Sequence, residues 1–303
     1  MYLKASLAAQ PVGKQLFVLI LLILMGSIFS SLLGLSLFGL IYGFQTPMTS
    51  QPDAMRLLQL ISAAGTFLFP AFGLAYLCSY DYKKFLFIRN LDQAKPYLIV
   101  VASMFLISPA IGLMAMLNEQ MQLPEWMGAV EEWMRQQEEA GAALTELLIN
   151  GGGFLPLASN LIVVALAAGI TEEFLFRGAL CQTLSRFGLN HHAVIWIAAI
   201  LFSAFHLQFY GFLPRMVLGA YFGYLLYWSR CIWLPVLAHF TNNAVAVIGM
   251  STPALKNNEF ITGEVTEPNL QSYIVMAVVF LGLFGILMIR LRQLLNVEEK
   301  PKL

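Results

Sequence analysis

Residues 154–177 read FLPLASNLIVVALAAGITEEFLFR, and this stretch decides how the chain folds. It opens on an apolar run that approaches the ~20 residues a helix needs to cross hydrocarbon. It then carries Glu172, Glu173 and Arg177. An ionisable side chain at membrane depth is costly, faces a cavity or a partner, and by default marks function. One stretch therefore predicts both a membrane span and a site built within it.

Composition points the same way. The chain has 303 residues, 59% of them hydrophobic and 11% charged, whereas a soluble domain is about 25% charged. Its 17 basic and 17 acidic residues cancel. With no global field and no long basic tract, a nucleic-acid partner is not indicated. Cys78, Cys181 and Cys231 each fall in or beside an apolar run without a C-x-x-C pair, so they read as buried thiols and not as a disulfide framework. The first apolar run, Leu16 to Phe44, is too long for the h-region of a cleavable signal and reads as a spanning helix.

Apolar runs recur at 16–43, 57–79, 96–117, 154–187, 191–207, 213–229, 232–250 and 270–290. They predict an all-α polytopic integral membrane helical bundle of about eight transmembrane helices. We read residues 1–303 as a single integral membrane domain with the motif-bearing core over about 154–250. Lys4, Lys14, Lys83, Lys84, Arg89, Lys95, Arg186, Arg230, Arg290 and Arg292 then fall on one side. By the positive-inside rule both termini are cytoplasmic. The opposite loops are acidic, with Glu259, Glu264 and Glu267 in one of them. In the other, segment 118–150, Leu123, Trp126, Met127, Val130, Trp133 and Met134 recur at three and four. That period predicts an amphipathic extracytoplasmic helix lying on the membrane surface; the sharper reading is a lid over the site. Gly151-Gly152-Gly153 reads as a hinge into the next span.

Two further motifs complete the polar set: Phe202-Ser203-Ala204-Phe205-His206, and His239-Phe240-Thr241-Asn242-Asn243. Glu173 and Arg177, four apart, share a helix face and can pair there. Glu172 points about 100° away, free for chemistry. Glu172 lies about sixteen residues before the break at Gly188-Leu189-Asn190, and His206 about sixteen after it. In an antiparallel hairpin both then sit roughly 22–25 Å from the turn, at one depth. His239 and Asn243 share a face of the later helix; Asn242 points elsewhere. His191 and His192 lie at the turn and read as interfacial.

These types form a hydrolytic set. A carboxylate beside an imidazole takes a proton from water, and an imidazole with a carboxamide offers donors to an oxyanion. A structural polar cluster between helices is the bland alternative. There is no G-x-S-x-G elbow and no H-E-x-x-H helix. Two His and a Glu are also a zinc ligand set, and spacing leaves that open. A proton-coupled transporter would show repeated halves, and none is visible. Arg215, after the aromatic turn at 208–214, either binds a substrate carboxylate or braces the site. Gly219 and Gly223 form a G-x-x-x-G face suited to close helix packing.

The series E-E-x-x-x-R, F-x-x-x-H and H-x-x-x-N resembles the CAAX prenyl protease and bacteriocin-processing family of intramembrane endopeptidases (CPBP, or Abi). The resemblance implies a bundle of about eight spans around a cavity. It implies that Glu172 and His206 activate water, that His239 and Asn243 hold the oxyanion, and that Glu173 and Arg177 shape the site. We favour the metal-free mechanism, with no cofactor expected; zinc held through Glu172, His206 and His239 is the alternative. The implied partners are a membrane-associated peptide or protein substrate and the lipid bilayer. Compactness and short termini suggest a bacterial inner (plasma) membrane protein. A non-catalytic peptide-binding or immunity protein on the same scaffold is the competing class.

Overall fold

The computed structural model of the protein describes residues 3–149, 153–256, 258–263, 265 and 267–295. Gly151 and Gly152 of the expected hinge, and Glu264 of the acidic loop, lie outside them. The chain runs as α1 (Val12–Tyr42), α2 (Pro52–Cys78), α3 (Lys95–Glu119), α4 (Gly128–Ile149), α5 (Phe154–Ser185), α6 (His191–Phe205), α7 (Phe212–Ser229), α8 (Trp233–Ser251) and α9 (Leu270–Leu294). Among the described residues there is no strand.

Helices α1, α2, α3, α5 and α9 make 5 that are long and apolar enough to cross a membrane. The first and last are apolar almost all round. Their most hydrophobic windows have mean hydropathies of 2.7 and 2.6, yet are only 17% buried. A helix apolar on every face but left exposed by its own protein belongs in lipid. Helices α6, α7 and α8 stand where further spans were expected but do not reach the same standard. Helix α6 has only 15 residues, which is roughly 22 Å against ~30 Å of hydrocarbon. Helices α7 and α8 are long enough but carry Arg215, His239, Asn242 and Asn243 among tyrosines and glycines. They are enclosed by protein, with Phe222, Leu225, Leu234 and Ala238 at 2% exposure or less. A helix surrounded by other helices has no need of an unbroken apolar surface. Length and composition therefore mark five spans among the described residues and leave α6, α7 and α8 unmarked.

Two large apolar cores hold the bundle, with a small third one of Ile195, Ala199 and Ala220 between α6 and α7. One joins α1, α2, α5 and α6 through residues such as Leu19, Leu74, Leu175 and Ala198. The other joins α3, α7, α8 and α9 through Val100, Leu225, Leu234 and Leu291. The polar motifs lie on the seam between them. Helices α5 and α6 are joined by a turn in which Gly188 takes φ +76°. The Asn190 side chain then caps α6 by accepting from the Ala193 N–H at 2.8 Å. Helix α7 lies close on α6: a Cβ at Gly223 would stand 2.8 Å from Ile195. Cys78, Cys181 and Cys231 are free and buried.

Candidate active site

Glu172 and Glu173 lie in α5 between two wider π-helical stretches, Leu161–Ala167 and Phe174–Leu180. Each π turn inserts a residue into the i→i+4 ladder and re-aims the side chains beyond it, and such turns concentrate at functional sites. Glu173 is fully buried. Its Oε1 accepts from Arg177 Nη1 at 2.9 Å and pairs with His239 Nδ1 at 2.8 Å. The i,i+4 pair of the motif thus forms, and a group 66 residues away joins it.

Arg177 is itself fully buried, and its environment explains how a cation is tolerated there. Its Nη2 donates to the Gly219 carbonyl at 2.9 Å. The guanidinium stands 4.5 Å from the Phe202 ring centre and 5.5 Å from that of Phe222. A Cβ at Gly219 would come within 3.1 Å of Arg177 Nη2. The glycine face of α7 thus serves the site as well as helix packing, because it lets Arg177 reach backbone.

Glu172 faces the other way, as expected. Its Oε2 is 3.7 Å from His206 Nε2 and 4.0 Å from His239 Nε2. It is buried, and this oxygen makes no hydrogen bond to protein. At these separations the oxygen makes no direct hydrogen bond to either imidazole. The hairpin argument that set Glu172 and His206 at one depth agrees with this geometry. His206 Nδ1 is 2.9 Å from the Phe202 carbonyl. A carbonyl only accepts, so Nδ1 carries the proton and Nε2 faces Glu172. The His206 side chain is 28% exposed against 6% for His239, so the site is reached from the His206 side.

Asn243 is placed differently. Its Nδ2 donates to the Val164 carbonyl at 3.0 Å, within the first π stretch, and its Oδ1 accepts from Asn242 Nδ2 at 3.2 Å. It lies one turn beyond His239, and one Nδ2 hydrogen remains for a ligand. His191 stacks on Tyr227, and His192 pairs with the Tyr224 hydroxyl, well away from this cluster. Asn242 lines a separate cavity of about 410 Å³ between α3 and α8, with Ser108 and Thr241.

The turn after His206 is held by Asn118 and Glu138, which the sequence did not single out, and by Arg215, which it did. Asn118, at the end of α3, donates from Nδ2 to the Phe209 carbonyl at 3.0 Å and accepts at Oδ1 from the Leu213 N–H at 2.7 Å. Glu138 of α4 accepts from the Tyr210 N–H at 3.3 Å. Arg215 donates to the carbonyl and the side-chain oxygen of Gln208 at 3.2 and 3.1 Å, so it braces this turn. Asn118 is only 3% exposed. Asn118→Leu leaves two backbone groups of the turn unmade, which should cost about 1–3 kcal/mol. A thermal melt in detergent is expected to fall for this variant; an unchanged melt would mean that water replaces the amide.

Residues 154–245 match the family model of type II CAAX prenyl endopeptidases, Rce1-like. The matched segment contains Glu172, Glu173, Arg177, His206, His239 and Asn243. It is the family that the three motifs resemble, and it supports a CAAX-type membrane protease. No curated protein and no solved structure matches the chain.

Proposed function

We propose that the protein is an intramembrane endopeptidase that hydrolyses a peptide bond of a membrane-associated substrate with water activated by Glu172 and His206. The observation that carries this is the Glu172 carboxylate, buried, with an oxygen that lacks a hydrogen-bond partner and stands 3.7 and 4.0 Å from two imidazole nitrogens. A structural cluster satisfies its members; here one oxygen of Glu172 and one of Glu173 lack a hydrogen-bond partner, and only the Glu172 oxygen is set against both His206 and His239 Nε2.

In this reading a water donates one hydrogen to Glu172 and one to His206 Nε2. As its oxygen bonds to the scissile carbonyl carbon, Glu172 takes the proton and the carbonyl electron pair moves onto oxygen. His239 Nε2–H and the spare Asn243 Nδ2–H stabilise that oxyanion. Donation from Nε2 requires His239 protonated on both nitrogens, and Glu173 is the counter-ion placed against Nδ1. Collapse breaks the C–N bond, and the departing amine receives the proton from Glu172. Helices α6, α7 and α8 complete a set of about eight spans. The basic residues face the cytoplasm with both termini, in a bacterial inner membrane.

A resident zinc held through Glu172, His206 and His239 is the alternative. Tetrahedral zinc, with bonds of ~2.0–2.2 Å, sets its donors about 3.3–3.6 Å apart. Glu172 stands wider than that from both imidazoles, at 3.7 and 4.0 Å. Among the described residues no group of three or more His, Cys, Asp or Glu has metal-holding geometry. The metal-free reading rests on Asn243, a poor zinc ligand but a good oxyanion donor one turn from His239, and chelation tests it. Exhaustive chelation is expected to leave most of the activity, with zinc substoichiometric in the purified protein. Tight one-to-one zinc, whose removal abolishes activity and whose return restores it, would make the two histidines ligands instead.

A further inference from the structure

Helix α4 lies outside the segment that matches the protease family, yet it touches the turn beside His206 at several points. Trp133 packs on Phe209 with ring centres 5.4 Å apart. Arg135 lies 4.9 Å from the Tyr210 ring centre, and Glu138 accepts the Tyr210 N–H. A Cβ at Gly141 would collide with the Gln208 amide, which in turn holds Arg215. At its C-terminal end, buried Arg56 of α2 donates to the Leu148 carbonyl and to Asn160 of α5. An i,i+4 pair, Glu131–Arg135 at 2.7 Å, stiffens its first turns and holds the Glu131 carboxyl below the usual range.

Around its axis α4 presents three adjoining arcs. Gly141, Thr145 and Leu148 face the bundle. Glu132, Gln136 and Glu139 are exposed on the far side. Val130, Trp133, Ala140 and Leu144 fall within about 80° at 100° per residue, with Gln137 the one polar residue among them, and Val130 at the edge adjoins the bundle arc. Val130, Trp133 and Leu144 remain 42%, 42% and 40% exposed, and Trp126 just before the helix is 82% exposed. An apolar arc set beside a charged arc is the pattern of a helix lying in the boundary between headgroups and acyl chains. The next span begins with Phe154 and Leu155 at 80% and 77% exposure, so lipid already reaches the chain where α4 ends.

We propose that α4 is seated in the bilayer interface by its Val130–Trp133–Leu144 arc, and that this seat holds the 207–211 turn in place beside His206. The inference rests on the membrane-protease reading. It places part of the site's support in the lipid, outside the family-matched core.

The test uses full-length protein in phosphatidylcholine vesicles with brominated acyl chains. A fluorophore is placed on Leu144→Cys, Glu139→Cys or, as a control, Val278→Cys; Val278 of α9 is 65% exposed, and the native thiols are buried. The Leu144 probe is expected to be quenched by brominated lipid and the Glu139 probe by aqueous iodide. Iodide quenching at Leu144 overturns the proposal, because that arc then faces water. Quenching by neither agent overturns it too, because a protein surface then covers the arc. Loss of lipid quenching at Val278 would instead sink the membrane reading. In Val130→Glu/Leu144→Glu, amide exchange at Tyr210 and Leu213 should rise about tenfold in vesicles. Unchanged exchange would leave the arc lipid-bound but not holding the turn, and the proposal fails.

Discussion

Glu172→Gln is expected to lower peptide hydrolysis by about 10²–10⁴-fold while the protein stays folded. The substitution keeps the volume and one acceptor oxygen. It removes the group in the cluster that is both able to take a proton and uncommitted to another side chain. The Glu172 oxygen that faces the imidazoles makes no hydrogen bond to protein, so losing its charge breaks no structural contact there. Its 4.0 Å approach to His239 is too long to count as one. The measurement is turnover of a membrane-presented peptide library, read by mass spectrometry, beside a thermal melt in detergent. Retained turnover would make Glu172 a bystander and return the cluster to a structural role. No turnover by the wild type on any peptide would favour a peptide-binding protein on this scaffold.

Much of this geometry was legible in the sequence because it is local or nearly so. The i,i+4 spacing placed Arg177 on Glu173. Equal distances from the Gly188 turn brought His206 to Glu172, at 3.7 Å. Apolar runs gave every long helix except α4, which the three-and-four period of segment 118–150 gave. The rest depends on contacts that periodicity does not encode. The His239–Glu173 bond joins helices 66 positions apart, and no spacing rule predicts which ring nitrogen it uses. Asn118 is an ordinary polar residue at a helix end until the fold carries it to Phe209 and Leu213. The π turns around Glu172 are invisible to a 3.6-residue reading. The span count is harder to read for a related reason. Helices α7 and α8 carry polar residues on surfaces that other helices cover, and α6 is short, so neither length nor composition marks these three as the other five are marked.

Glu173 is expected to behave as two residues in one, and a pair of variants separates its roles. Glu173→Gln leaves the Arg177 cation, fully buried, without its carboxylate. Breaking a buried pair from one side typically costs about 3–5 kcal/mol. The Gly219 carbonyl and the Phe202 and Phe222 rings remain to soften that loss. The melt should therefore drop clearly, and activity should fall with it. Glu173→Gln/Arg177→Met removes both charges at once, and replacing a whole buried pair with matched neutral groups is often close to neutral. This double variant should recover most of the lost stability. Activity should not return, because His239 has still lost the carboxylate against its Nδ1 and with it the counter-ion for the doubly protonated form. Thermal melts and kcat on the same preparations give the comparison. If stability and activity recover together, Glu173 serves only Arg177, and His239 needs no counter-ion to work.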